Sequence, residues 1–165
     1  MKYPTIRTIY FLGFMVCSLM LSFALYLEYI QGLLPCPLCQ LQRIALIIIG
    51  LLFLSALMFK PSRISTKVFA FFITLFCVIG ALLAGRQIYL QHLPSGSVPG
   101  TCVPGLSYLF SMLPFHEAIK TAIQGSSDCA EIVWQFLGLN MAKWTFIAFI
   151  FLALTAIWQI KRIKQ

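Results

Sequence analysis

Residues 41 to 59 read LQRIALIIIGLLFLSALMF, and after Arg43 this stretch holds no charged side chain. A helix needs about 20 predominantly apolar residues to cross roughly 30 Å of hydrocarbon, which this stretch approaches. Three more runs of the same kind lie around it, so four spans are expected at Ile9–Tyr29, Leu41–Phe59, Val68–Tyr89 and Trp144–Ile160. The first run is too long for the apolar part of a secretory signal, and no small-residue cleavage pattern follows it, so it is read as a retained span. The expected fold is all-α: an integral membrane four-helix bundle in one domain covering residues 1–165. Its connections would be a short loop at residues 30–40, a polar turn at 60–67 and a long loop at 90–143.

Composition agrees. Of 165 residues, 61% are hydrophobic and 10% charged, a balance that excludes an ordinary soluble domain. The net charge of +8 would suggest nucleic acid in a soluble chain, but the cations flank apolar runs, a pattern that sets topology instead. Lys2, Arg7, Lys60, Arg63, Lys67, Lys161, Arg162 and Lys164 fall on one side of the four spans. Arg43, Arg86, Lys120 and Lys143 fall on the other, the first two inside helix ends from which they can snorkel. The richer side is expected to be cytoplasmic, with both termini there and both cysteine-bearing loops on the opposite, oxidising side.

Six cysteines divide by position. Cys17 and Cys77 lie deep in apolar runs, where a thiol acts as a small hydrophobe, and are read as packing. Cys36, Cys39, Cys102 and Cys129 all map to the two loops of the non-cytoplasmic side, where disulfides persist. In Leu34-Pro35-Cys36-Pro37-Leu38-Cys39, proline favours the first helical position, which places Cys36 near the N-cap and Cys39 in the first turn. There the unpaired N–H groups and positive helix end stabilise a thiolate, and a three-residue spacing lets the two sulfurs join or part.

Arg43 follows Cys39 by one turn on the same face. It is read either as a cation anchoring the helix at the headgroups or as a charge stabilising both the Cys39 thiolate and a negative acceptor. Cys102 lies beside a turn-rich stretch, Pro94 to Thr101, expected to move, as a disulfide that meets a soluble partner must. Between Cys102 and Cys129, residues 106–115 mix aromatic, Leu and Met side chains with serines, which suits a segment lying in the membrane interface.

These residues resemble the DsbB family of quinone-dependent disulfide-generating proteins. The resemblance rests on Cys36-Pro37-Leu38-Cys39 with Arg43, on Cys102 in its Pro/Gly-rich loop, and on Ser127-Asp128-Cys129-Ala130-Glu131 leading to Trp134-Gln135-Phe136-Leu137-Gly138-Leu139. It runs from about Ile9 to Ile160. It implies a bacterial inner-membrane enzyme that reoxidises a periplasmic DsbA-like thioredoxin-fold oxidase and passes the electrons to ubiquinone or menaquinone. DsbA is itself a strong oxidant near −120 mV, so its reoxidation requires a still more oxidising sink, which a membrane quinone supplies and glutathione does not. The resemblance further implies that the partner's thiolate attacks Cys102, that the released Cys129 attacks Cys36, and that Cys39 beside Arg43 donates to the quinone. It also places His92 near that quinone, where the residues alone suggest an interfacial histidine.

Other readings compete. The four loop cysteines could be structural staples, which leaves Arg43 without a role. They could bind zinc, but Cys102 and Cys129 lack the close spacing of common four-cysteine sites, so no metal is expected. Within the resemblance, a relative dedicated to one specific partner is the alternative to a general reoxidant. An architecture resembling vitamin K epoxide reductase is disfavoured, because its CxxC comes late in the bundle.

Overall fold

The computed structural model describes residues 6–59, 63–93, 105–130 and 134–164. Four helices, α1 (Ile6–Tyr29), α2 (Pro37–Met58), α3 (Arg63–Gln91) and α7 (Met141–Lys164), are long and apolar enough to cross a membrane, α7 over its stretch to Lys161. They are longer than the apolar runs, because polar ends carry each helix past the hydrocarbon. Between α3 and α7 lie α4 (Leu106–Met112), α5 (Phe115–Gln124), the four-residue α6 (Ser127–Ala130) and a minimal hairpin, β1 (Gln135–Phe136) with antiparallel β2 (Leu139–Asn140). This hairpin is the one departure from the expected all-α chain among the described residues.

The bundle is an arc. Helix α1 packs on α2, α2 on α3 and α3 on α7, while α1 and α7 barely meet. Large apolar side chains such as Leu12, Leu51, Phe71, Leu82 and Leu154 point outward and exposed, as helices require whose surroundings are acyl chains. Inside, the helices approach closely at small residues. A side chain at Gly13 would meet the Phe53 ring, and one at Gly80 would meet the fully buried Phe149 ring. Small residues of this kind let backbones approach where lipid removes the hydrophobic drive for association. Cys17 and Cys77 are buried in this central core with Ile49, Ile73 and Leu152.

At the cysteine-bearing end, α4 and α5 fold against α2. Leu106, Leu109, Ala118 and Ala122 form a small core that Leu41 joins. Helix α4 starts after Gly105, which has no side chain to cap it, and the Gln40 side chain of α2 supplies the acceptor for the Leu106 N–H at 2.6 Å. Tyr108, Phe110, Met112 and Phe115 remain exposed, and Phe110 stacks on Phe115 with centroids 5.5 Å apart. That surface suits the interfacial placement read from residues 106–115.

Candidate functional site: three thiols above an apolar cavity

The local sequence sets the start of α2. Cys36 is its N-cap, extended at φ −65° and ψ 160°, and Pro37 takes the first helical position. The Cys36 sulfur accepts the Cys39 N–H at 3.4 Å, as a capping side chain does. It also lies 3.0 Å from the Cys39 sulfur. The described cysteines are free thiols.

Cys129 completes a group of three. It is fully buried and packs with Cys36, Leu38 and Leu90. Its place depends on Gly125, whose φ of +85° turns the chain sharply out of α5, and on Ser126, whose carbonyl accepts the Cys129 N–H at 2.9 Å. A hydrogen bond from the Cys36 thiol, with the N–H groups of Ser126 and Leu38 facing the sulfur, holds the Cys129 thiol down to about 6. Cys36 is pushed far up, because it donates to Cys129 and Cys39 and is buried between them. The unpaired N–H groups at the start of α2, expected to serve Cys39, thus also serve Cys129. Cys102 lies outside the described residues.

Beneath the Cys36 and Cys39 sulfurs opens a cavity of about 510 Å³. Its walls are Leu19, Met20, Phe23 and Leu27 of α1, Leu46 of α2 and Met141, Trp144 and Ala148 of α7, with Trp134 and Phe136 at its rim. Its polar end holds Cys36, Cys39, Gln42, Arg43, Gln87 and Thr145. The rim is aromatic: Trp134 meets Phe23 edge-on at 5.3 Å and stacks on Phe136 at 6.0 Å, which leans on Trp144 at 6.5 Å. Through Phe23 and Trp134 the hairpin spans the seam between α1 and α7.

Arg43 does line this cavity, one turn below Cys39, but its guanidinium turns to α1, where it pairs with Glu28 and donates to the Ala24 carbonyl at 3.0 Å. From another helix Gln87 reaches the Cys39 sulfur, its Nε2 3.2 Å away. His92 is exposed, its Nδ1 2.7 Å from the Ile88 carbonyl oxygen, and is not a cavity residue. The neighbouring Gln91 is, held by a hydrogen bond from Asn140 at 2.6 Å. Reading the sequence missed Glu28, Gln42, Gln87, Thr145 and the aromatic rim. The available signals were glutamines interrupting apolar helices, since buried amides must find partners.

A protein-family model described as "Disulfide bond formation protein DsbB" matches residues 6–159. The chain is 44% identical over 161 residues to disulfide bond formation protein B of Hahella chejuensis, covering 98% of this chain and 96% of that one. It is 40% identical over 158 residues to the protein of that name from Nitrosococcus oceani, covering 96% and 93%. For that of Stutzerimonas stutzeri the identity is 37% over 162 residues, covering 98% and 99%.

Proposed function

The chain belongs to the DsbB family of disulfide-generating membrane oxidoreductases, and on that footing we propose that it draws electrons from a periplasmic DsbA-like dithiol and delivers them to a membrane quinone. The observation that carries this reading is the cluster of Cys36, Cys39 and Cys129, of which Cys36 and Cys39 line the polar end of an apolar cavity. A cavity of that size, apolar along its length with a few convergent polar groups, is the usual form of a small-molecule site. The residues suit a quinone: Arg43 offers donors toward ring oxygens, and the α1 and α7 side chains offer an apolar bed for a tail. In that place a quinone would supply an acceptor for two electrons and two protons.

The chain's own part is disulfide exchange. The partner's thiolate attacks Cys102 of a Cys102–Cys129 disulfide, forming a mixed disulfide and releasing Cys129. The partner's second thiol then resolves that bond, so the partner leaves oxidised while Cys102 and Cys129 hold its two electrons. Cys129 attacks Cys36 of the Cys36–Cys39 disulfide, releasing Cys39 as thiolate. Cys102 closes back on Cys129 and releases Cys36, which takes a proton, so Cys36 and Cys39 now hold both electrons. The packing of Cys129 against Cys36 supports the middle step, because exchange requires the sulfurs to meet in the native fold. Cys36 keeps its proton until the Cys36–Cys39 bond closes again.

The eight-to-four division of Lys and Arg supports the orientation: termini in the cytoplasm, cysteine loops in the periplasm, the whole in the bacterial inner membrane. Purified protein mixed with a reduced thioredoxin-fold dithiol and quinone should form quinol, and the Cys129→Ser variant, which lacks the disulfide that the partner attacks, should form none. Quinol formation that survives loss of Cys36 or Cys39 would refute the relay. Ubiquinone and menaquinone are compared in the same assay.

A further inference from the structure

We propose that Gln87 is a catalytic residue of the terminal thiol, its amide N–H groups stabilising the Cys39 thiolate, and that Gln42 and Thr145 position it. The proposal deepens the reading of Cys39 as electron donor and rests on it.

Gln87 sits on α3 with 6% of its surface exposed, facing the start of α2. Its Nε2 is 3.2 Å from the Cys39 sulfur and 3.8 Å from the Cys36 sulfur, so one amide group addresses both members of the pair. Its orientation is imposed from behind. The Gln87 Oε1 accepts from Gln42 Nε2 at 2.8 Å, and the Gln42 Oε1 accepts the Thr145 hydroxyl at 3.0 Å. Thr145 belongs to α7, so the chain of donors crosses three helices and ends on the sulfur. Each link leaves the next amide only one satisfied direction, because a buried amide facing the wrong way would lose both its bonds.

A neutral donor fits the chemistry better than a cation in contact. A thiolate held by full charge becomes a weaker nucleophile as its basicity falls. An amide gives a charge-assisted hydrogen bond to the thiolate. It can also accept from the protonated sulfur, since Gln87 Oε1 lies 3.6 Å from the Cys39 Sγ. The same side chain thus accompanies the sulfur through both protonation states. Arg43, engaged by Glu28 and Ala24, is left to act toward the cavity.

The test reads the thiol without quinone. Fully reduced full-length protein is alkylated with iodoacetamide across a pH series, and modification of Cys39 is followed by peptide mass spectrometry. Gln87→Met keeps volume and removes the N–H donors, so Cys39 alkylation at pH 7 should slow about tenfold. Thr145→Val touches no sulfur, yet should slow it about twofold to threefold by freeing the Gln42 orientation. Gln87→Glu keeps the shape but sets a carboxylate against the sulfur, and should suppress alkylation further as pH rises. If Gln87→Met unfolds at the wild-type temperature and Cys39 reacts at the wild-type rate, Gln87 is packing and the proposal falls. If Gln87→Met does not fold, an unchanged Cys39 rate in Thr145→Val overturns it. Wild-type protein that fails to form quinol while Gln87→Met still slows alkylation would overturn the quinone reading and leave the Gln87 assignment standing.

Discussion

Replacing Cys36 by alanine should raise the midpoint of Cys129 ionisation. In the reduced protein Cys129 is held down to about 6 from an ordinary value of 9.0, and the largest cause is the hydrogen bond from Cys36. With a midpoint near 6, about nine-tenths of Cys129 is thiolate at pH 7; at 9, about one-hundredth would be. Cys36→Ala removes the principal donor and leaves the Ser126 and Leu38 N–H groups, so a midpoint of roughly 7 to 8.5 is expected. Cys36→Ser keeps a donor on a shorter arm and should move it less. The sign carries into stability. A thiol whose midpoint is depressed by folding stabilises the native state above its unfolded value, and that contribution is lost as pH falls through about 6. Cys36→Ala should remove that acid-side loss as well. Alkylation of Cys129, resolved by mass spectrometry from pH 4 to 10, measures the midpoint. A midpoint still near 6 in Cys36→Ala would refute the thiol-to-thiolate hydrogen bond and leave the backbone donors as its cause.

Gly125→Ala should lower thermal stability by about 1–3 kcal/mol, because alanine strains at a φ of +85° and its methyl meets Leu90. The same change should reduce the yield of Cys36–Cys129 cross-link after mild oxidation, measured by diagonal gel, since Cys129 is seated by that turn. Arg43→Ala should need more quinone for half-maximal rate, with Arg43→Lys a partial rescue because lysine keeps the charge but not the planar fork; superimposable titrations would leave Arg43 only an anchoring part. Glu28→Gln should alter the same titration by releasing the guanidinium from α1. Cys17→Ala and Cys77→Ala should keep full turnover in the quinol assay while each lowers stability by about 1 kcal/mol in denaturant, a pure packing loss.

The parts of this molecule legible in its sequence are those set by local chemistry. Solvent alone decides the four helices, because runs such as 44–59 tolerate no other backbone arrangement in lipid. Pro37 fixed the start of α2, and with it the capping position of Cys36. What stayed hidden depends on register between helices. Gln87 is 48 residues from Cys39, and nothing in either helix says which faces meet. Arg43 stands where the spacing from Cys39 puts it, but its charge is taken up by Glu28, 15 residues earlier on a helix whose rotation is set by packing. The hairpin was illegible for a different reason. Its turn uses Leu137 at φ +54° before Gly138 at φ +75°, and leucine rarely accepts the left-handed region, so Leu-Gly carries no strong turn signal.

The arc of helices bears on how the protein is made. Helices α1, α2 and α3 each pack on the one before and can pair in the order in which they leave the ribosome, whereas α7 joins α3 across the whole intervening loop. The cavity wall from Met141 to Ala148, and Thr145 with it, arrives last. A chain halted before α7 already presents Cys36 and Cys39 but has neither a closed pocket beneath them nor the anchor for Gln42. The cavity beneath the Cys36–Cys39 pair is therefore complete only once translation is.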